Sequence, residues 1–223
     1  MNLVENKARV YEEVEQASLQ AGRSKQSVHI IAVTKYVDSS ITNELIETGV
    51  KAIGENRVDR FLEKYQELNH HSLEWHFIGT LQRRKVKDVI NYVDYFHALD
   101  SVKLAQEIQK RAEHPIRCFL EVNISGEASK HGFSPDEIDS ILEQLAPLDK
   151  VELVGIMTMA PFEADDEELA RIFSEAKRLQ LDLASRQLPH MPFTELSMGM
   201  SRDFPIAIAN GATYVRIGTA FFK

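Results

Sequence analysis

Three observations predict an α/β fold: a single (β/α)8 TIM barrel with an extra N-terminal helix. The sequence contains eight short apolar runs typical of buried strands, and a helical pattern separates nearly every neighbouring pair. Alternation of this kind favours a parallel sheet covered by helices. Eight strand–helix units in 223 residues fit a closed barrel at the lower end of its usual size.

The first half of the chain starts with an amphipathic helix over residues 2–21, which Gly22 ends. A β-branched strand follows within residues 28–37. Asp38 and the serines after it cap a helix that runs to residue 48. We then expect a strand at 50–54, a helix to residue 68, a strand at 75–78 and a basic helix at 82–91.

The second half repeats the pattern. A strand at 95–99 precedes a helix that ends near residue 113, and the longest β-rich run is 116–123. Residues 134–137 form a capping box with proline at the first helical position. After a strand at 151–157, four acidic residues at 165–168 begin a long helix, because the helix dipole favours negative charge there. Strands at 194–198 and 213–217 flank a short helix at 202–209.

An open doubly wound sheet is the alternative architecture. Against it, no Gly-x-Gly-x-x-Gly follows the first strand, and no phosphate loop of the Gly-x-x-x-x-Gly-Lys type occurs. Only Phe221-Phe222-Lys223 follow the motif that ends the last strand, so we expect no eighth helix and infer that the N-terminal helix covers its place. No linker or shift in composition divides the chain, and residues 1–223 are predicted to form one domain.

Composition and charge restrict the class of protein. With 43% hydrophobic and 27% charged residues, the chain is ordinary for a soluble globular protein. A net charge of −8 argues against a nucleic-acid or anionic-membrane surface. The single cysteine, Cys118, cannot form an internal disulfide, and neither a signal peptide nor a membrane-spanning run is visible. We therefore expect a cytoplasmic protein.

Lys35 stands at the carboxyl end of the first strand. An ammonium group is costly to desolvate there unless something uses it. In a barrel, the carboxyl ends of all strands share one face, and active sites are built on that face. The simpler alternative is that Lys35 only marks where the strand leaves the core.

Two groups on the same face suit a phosphate. Ser197-Met198-Gly199-Met200-Ser201 lies between the seventh predicted strand and a helix, where hydroxyl and N–H donors can converge. Arg216-Ile217-Gly218-Thr219 ends the eighth strand, and Gly218 lets the backbone approach an anion closely. The alternative is a set of turn glycines and capping serines that bind no ligand.

A lysine and a phosphate cradle on one face suggest a phosphorylated aldehyde held as a Schiff base. Lysine forms such a bond when its surroundings leave enough of the amine neutral. Pyridoxal 5′-phosphate is the obvious candidate.

Five motifs, which occur in order over almost the whole chain, carry a resemblance. They are Ala32-Val33-Thr34-Lys35, Gly54-Glu55-Asn56-Arg57, His76-Phe77-Ile78-Gly79-x-Leu81-Gln82, Ser197-Met198-Gly199-Met200-Ser201-x-Asp203 and Val215-Arg216-Ile217-Gly218-Thr219-Ala220. In these motifs the chain resembles the pyridoxal phosphate homeostasis protein family, which is itself similar to the barrel domain of alanine racemases.

The resemblance implies a cofactor site. Lys35 would form the Schiff base, Arg216 would face the pyridine nitrogen and Asn56 would line the ring pocket. The phosphate would be held by Ser197, Ser201, Gly218 and Thr219. The sequence departs from the family at Arg84, where many members have asparagine, and at Lys223, where a glycine is common. Neither position belongs to the implied cofactor contacts.

The predicted function is that of a carrier or buffer for pyridoxal phosphate rather than an enzyme. Arginine stays protonated and cannot leave the pyridine nitrogen charged as an aspartate would, so the ring is a poorer electron sink. Racemases also take a second acid/base group from a β domain, which we do not find in this sequence. The alternatives are a small pyridoxal-phosphate enzyme, such as a racemase or decarboxylase, and a cofactor-free barrel enzyme that binds phosphate.

Other features carry less weight. His70, His71 and His76 lack the cysteine or carboxylate frame of a metal site, so no metal is predicted. The basic run Arg83–Lys87 is most simply a solvated helix face, although it could contact an acidic apoenzyme that receives the cofactor. Lys130 could approach the mouth of the site as a secondary amine. Without a β domain, a monomer is expected.

Overall fold

A computed structural model describes residues 1–128 and 131–223, and it confirms the predicted barrel. The eight strands are parallel and close in sequence order, because β8 pairs with β1. The strands are β1 (His29–Val33), β2 (Ala52–Glu55), β3 (Glu74–Phe77), β4 (Tyr95–Leu99), β5 (Ile116–Glu121), β6 (Val151–Met157), β7 (Glu195–Met200) and β8 (Tyr214–Ile217).

Helices cover the outside of the barrel. They are α1 (Leu3–Gln20), α2 (Ser39–Glu47), α3 (Val58–Leu68), α4 (Val86–Val89), α5 (Val102–Arg111), α6 (Ile138–Leu145), α7 (Asp166–Ser185), α8 (Phe204–Ala209) and α9 (Thr219–Phe222). Three short 3-10 segments lie at Arg83–Lys85, Ile90–Tyr92 and Pro135–Glu137. In the part of the chain described, none of the helices has the length and apolar character of a membrane span.

Successive side chains of each strand point alternately into the barrel and outward, toward the layer beneath the helices. In β3, Trp75 and Phe77 face outward, with ring centroids 5.5 and 5.9 Å from that of Phe61 in α3. His76, between them, faces inward and stacks on Tyr95 of β4 at 4.8 Å. Polar side chains on β3 therefore lie inside the barrel, whereas its aromatic side chains join the core under α3.

The first helix and the last residues of the chain are joined where the barrel closes. The Asn6 amide donates to the carbonyls of Phe221 and Lys223, at 2.9 and 2.8 Å. The expectation that no helix follows the last strand was wrong, because one turn, α9, forms after β8. α1 packs against both α8 and α9, so it does cover the place of a full-length eighth helix.

Several other boundaries differ from the prediction by one to a few residues, and two of these differences change the description of an element. The basic helix expected over residues 82–91 is divided into a 3-10 turn, the one-turn α4 and a second 3-10 turn. Strand β7 continues to Met200 instead of ending at 198. Its register with β8 shifts between Ser197 and Met200, around Gly199, whose positive φ of 96° is readily adopted by glycine.

Candidate functional site

Lys35 lies in the turn that follows β1, at the C-terminal face of the barrel. Its side chain is exposed, so its ammonium group is not desolvated. The cost of desolvation, for which Lys35 was first considered functional, therefore does not apply. The ammonium nitrogen lies 4.9 Å from the centre of the Tyr36 ring. No hydrogen bond or ion pair joins Lys35 to the described residues. Its amine is therefore available to a ligand.

The ends of β1, β7 and β8 meet beside Lys35. The Gly218 N–H donates to Ser201 Oγ at 3.2 Å, which joins the two loops predicted to hold phosphate. A Cβ atom built on Gly218 would lie 3.4 Å from Val33, an ordinary contact distance, so packing alone does not require glycine there. Val33 is two residues before Lys35. The amine and the Ser201–Gly218 donors thus belong to one rim.

Thr219 and Asn56 lie at the same face. Thr219 is exposed and begins α9, where the first N–H groups of a helix have no partner within it. Asn56 follows β2, is half-buried, and its amide has no hydrogen bond to the described residues. A Cβ on Gly79 would lie 2.1 Å from the Asn56 carbonyl oxygen, so this approach of β2 and β3 requires glycine.

Ser197 is placed differently from the other predicted phosphate ligands. It belongs to β7 and is fully buried. Its hydroxyl oxygen accepts a hydrogen bond from Arg216 Nη1 at 2.6 Å and lies 2.9 Å from His97 Nδ1. Its hydroxyl is thus engaged inside the barrel. A role in phosphate binding stays a prediction, and the geometry favours a role in orienting Arg216.

Arg216 is the cation beneath the rim. Its side chain is buried, and burial lowers the pKa of its guanidinium to about 10, an effect opposed by the Asp203 and Glu121 carboxylates. Besides Ser197, it donates to the Thr158 carbonyl at 3.3 Å. Even with this lower pKa, the guanidinium stays charged at neutral pH.

A buried cluster of Thr34, Glu55 and Lys64 supports the turn that carries Lys35. Lys64, on α3, donates to the Thr34 carbonyl at 2.7 Å and forms a buried ion pair with Glu55. The Thr34 hydroxyl donates to the same carboxylate oxygen at 2.6 Å. This cluster was not predicted from the sequence, although one signal was present. Lys64 falls on the face of α3 that Phe61 and Leu68 mark as buried.

Glu121 ends β5 and is buried at the same face. Burial raises the pKa of its carboxyl to about 7, and the Asp100 carboxylate adds to this effect, whereas His131 and Arg216 oppose it. Asp100, after β4, lies 3.7 Å from His131 Nδ1. Glu121 was not predicted as a site residue, because a carboxylate at a strand end is not distinctive until its burial is known.

We expect Glu121→Gln to stabilise the apoprotein at pH 8 but not at pH 4. The folded pKa lies above the unfolded one, so stability from this group is complete below about pH 4.5 and is lost as the pH rises through 7. The shift corresponds to a gain of about 3 kcal/mol in the free energy of unfolding at pH 8. Urea unfolding at both pH values tests this, with the exposed Glu113→Gln as control. An equal change at both values would contradict it.

The remaining predicted features are not assembled into a second site. The ring centroids of His70 and His71 lie 4.2 Å apart, whereas His76 lies in the barrel interior. The described residues contain no group of three potential metal ligands. Arg83, Arg84 and Lys87 are exposed, as a solvated face would be. The prediction for Lys130 falls outside the described residues.

Known proteins are similar to this chain over nearly its whole length. The family profile described as "Alanine racemase, N-terminal domain" matches residues 14–223. A pyridoxal phosphate homeostasis protein of Aquifex aeolicus (strain VF5) is 40% identical, over 100% of this chain and 98% of that protein. One of Escherichia coli (strain K12) is 35% identical, over 99% of this chain and 96% of its own length.

Solved structures agree with these relatives. PipY of Synechococcus elongatus PCC7942, in a structure with PLP bound, superposes with a TM-score of 0.85 at 32% identity, with both chains fully covered. Alanine racemase of Corynebacterium glutamicum shares the fold alone, with a TM-score of 0.72 at 16% identity over 96% of this chain and 60% of that one. The chain therefore belongs to the alanine racemase N-terminal domain family and, within it, to the pyridoxal phosphate homeostasis proteins.

Proposed function

We propose that this chain acts in pyridoxal 5′-phosphate homeostasis, binding the cofactor at the C-terminal face of the barrel. The observation that carries the proposal is the approach of Gly218 to Val33, which gives the Lys35 amine and the Ser201–Gly218 donors one rim. Two relatives that match over nearly their full length, at 35% and 40% identity, are named pyridoxal phosphate homeostasis proteins, which supports the same function.

The residues present fit the cofactor. When bound, pyridoxal phosphate supplies an aldehyde that can condense with an amine, and a phosphate that N–H and O–H donors can hold. Lys35 would be the point of attachment, because its amine is exposed and has no partner among the described residues. Ser201, Gly218 and Thr219 would hold the phosphate, Asn56 would line the ring pocket, and Arg216 would face the pyridine nitrogen.

We propose a carrier or buffer rather than an enzyme. Arg216 can donate a hydrogen bond to the pyridine nitrogen but does not readily transfer a proton to it, which weakens the ring as an electron sink. The chain would bind the cofactor reversibly and release it to apoenzymes. We also propose that it acts as a monomer in the cytoplasm, which size-exclusion chromatography and cell fractionation can test.

One observation favours the second candidate, a small pyridoxal-phosphate enzyme such as an amino-acid racemase. The Glu121 carboxyl, with a pKa raised to about 7, is buried at the same face and suits general acid–base catalysis at neutral pH.

Solvent deuterium exchange at Cα of free amino acids separates the two functions. We expect the protein loaded with cofactor to give no exchange above that of free pyridoxal phosphate, while it restores the activity of an apoenzyme mixed with it. Exchange that depends on the protein and is lost in Glu121→Gln would favour the enzyme. Failure to bind the cofactor at all would overturn both candidates.

A further inference from the structure

A chain of hydrogen bonds crosses the interior of the barrel from its N-terminal edge to Arg216. Glu74 Oε1 lies 2.8 Å from His76 Nε2, and His76 Nδ1 lies 2.8 Å from His97 Nε2. His97 Nδ1 lies 2.9 Å from Ser197 Oγ, to which Arg216 donates at 2.6 Å. Glu74 is half-buried and lines a cavity of about 340 Å³ at the edge of the barrel opposite Lys35.

The chemistry of the two ends fixes the direction of every bond. A guanidinium only donates, so Ser197 Oγ accepts from Arg216 and can turn its own proton toward His97 Nδ1. At the other end, an ionised Glu74 only accepts, so His76 carries a proton on Nε2. His76 Nδ1 is then the acceptor for a proton on His97 Nε2. When both imidazoles are neutral, the Glu74 end requires a proton on Nε2 of each ring, and the Ser197 end is compatible with that arrangement.

Packing holds both rings in this arrangement. His76 and His97 are fully buried, and the His97 ring stacks on Phe119 at a centroid distance of 4.3 Å. Burial lowers the pKa of His76 and, more strongly, that of His97. A second proton on His97 would lie on Nδ1 and point at the Ser197 hydroxyl. The charged ring could then no longer accept a hydrogen bond from that hydroxyl.

We infer that Glu74, His76, His97 and Ser197 form a positioning chain that fixes the guanidinium of Arg216 at the cofactor site. The inference rests on the proposed function for its cofactor side. Among the described residues, the other hydrogen-bond acceptor of Arg216 is the Thr158 carbonyl, at the longer distance of 3.3 Å. Because the Ser197 proton is turned away toward His97, an oxygen lone pair stays directed at the guanidinium, and the remaining N–H groups are left for the cofactor.

The first test uses the apoprotein and needs no cofactor. Histidine ¹⁵N NMR at pH 7 should show His76 and His97 neutral, each with its proton on Nε2. Glu74→Ala, at the partly exposed end, should mix the two protonation sites of His76. A proton on Nδ1 of His97, or a charged ring, would overturn the chain.

The second test measures the effect at the far end of the barrel. His97→Phe keeps an aromatic ring but removes both hydrogen bonds. It should weaken pyridoxal phosphate binding about tenfold, the size expected for the net loss of one buried hydrogen bond, and shift the absorbance of the bound cofactor. His97→Asn, which can still accept from Ser197, should recover part of both.

The third test substitutes Glu74, which is partly exposed, and so leaves the barrel core intact. Glu74→Ala should raise the dissociation constant about threefold, a typical size for coupling through such a network, while the exposed His70→Gln should change nothing. Equal affinity and unchanged spectra in both His97→Phe and Glu74→Ala would overturn the positioning role. Failure of the wild-type protein to bind the cofactor would overturn the proposed function instead, and the NMR result would still decide the chain.

Discussion

Lys35→Ala should abolish covalent attachment of pyridoxal phosphate. Lys35 is exposed at the same face of the barrel as Ser201 and Gly218, and no hydrogen bond fixes it to the described residues, so alanine should remove the reactive group without disturbing the fold. After incubation with the cofactor and reduction with borohydride, the wild-type protein should gain one label, which peptide mapping should place on Lys35. The variant should give only background labelling.

Two further variants control for charge and for random labelling. Lys35→Arg keeps the positive charge but removes the amine nucleophile, so it should also remain unlabelled while it retains part of the non-covalent affinity. Lys51→Ala removes an exposed lysine that precedes β2, at the opposite end of the barrel, and should label like the wild type. Stoichiometric labelling of Lys35→Ala would contradict the assignment of the attachment site.

Lys64→Met should destabilise the protein by about 3–5 kcal/mol, because it leaves the Glu55 carboxylate buried without its cation. The Lys64 and Glu55 side chains are only 2% and 1% exposed. Glu55 Oε2 is buried and has no hydrogen-bond partner in the part of the chain described, so the carboxylate depends on its other oxygen. The substitution also removes a donor from the Thr34 carbonyl, directly before Lys35, and should weaken cofactor binding.

Urea unfolding of a double-mutant cycle measures this pair. Lys64→Met/Glu55→Gln should lose much less stability than Lys64→Met alone, because the amide carries no charge and can still accept from Thr34. Arg60→Met breaks the exposed Arg60–Glu63 pair on the same helix and should change stability by less than about 1 kcal/mol. Similar losses of unfolding free energy in Lys64→Met and Arg60→Met would show that burial does not increase the cost of removing the cation of an ion pair.

The architecture could be predicted because strand and helix periods are local properties of the sequence. Strands β4 and β6 have the predicted bounds, since turn and cap residues mark both ends. The end of β7 was missed because the glycine at position 199 is typical of a turn or loop. Pairing with β8 extends the strand to Met200, and Gly199 lies where the register shifts.

The candidate site was predictable only in part. Lys35, Ser201, Gly218 and Thr219 follow strand ends, and a closed parallel barrel brings such ends to one face. The Lys64–Glu55 pair and the His76–His97 contact join elements that are distant along the chain or depend on which way a side chain faces. Local patterns do not specify these contacts. His76 was therefore weighed from the sequence as a metal ligand, whereas it lies inside the barrel.

The joint between α1 and the last residues has a consequence for the order of folding. On the ribosome, β1 is among the first elements to emerge, yet its partner β8 is among the last. One edge of β1 therefore stays unpaired through most of synthesis, and an open strand edge invites association with other chains. The hydrogen bonds from Asn6 to Phe221 and Lys223 close the same joint. Disrupting them should slow the final closure of the barrel and increase aggregation during refolding more than it lowers the stability of the finished protein.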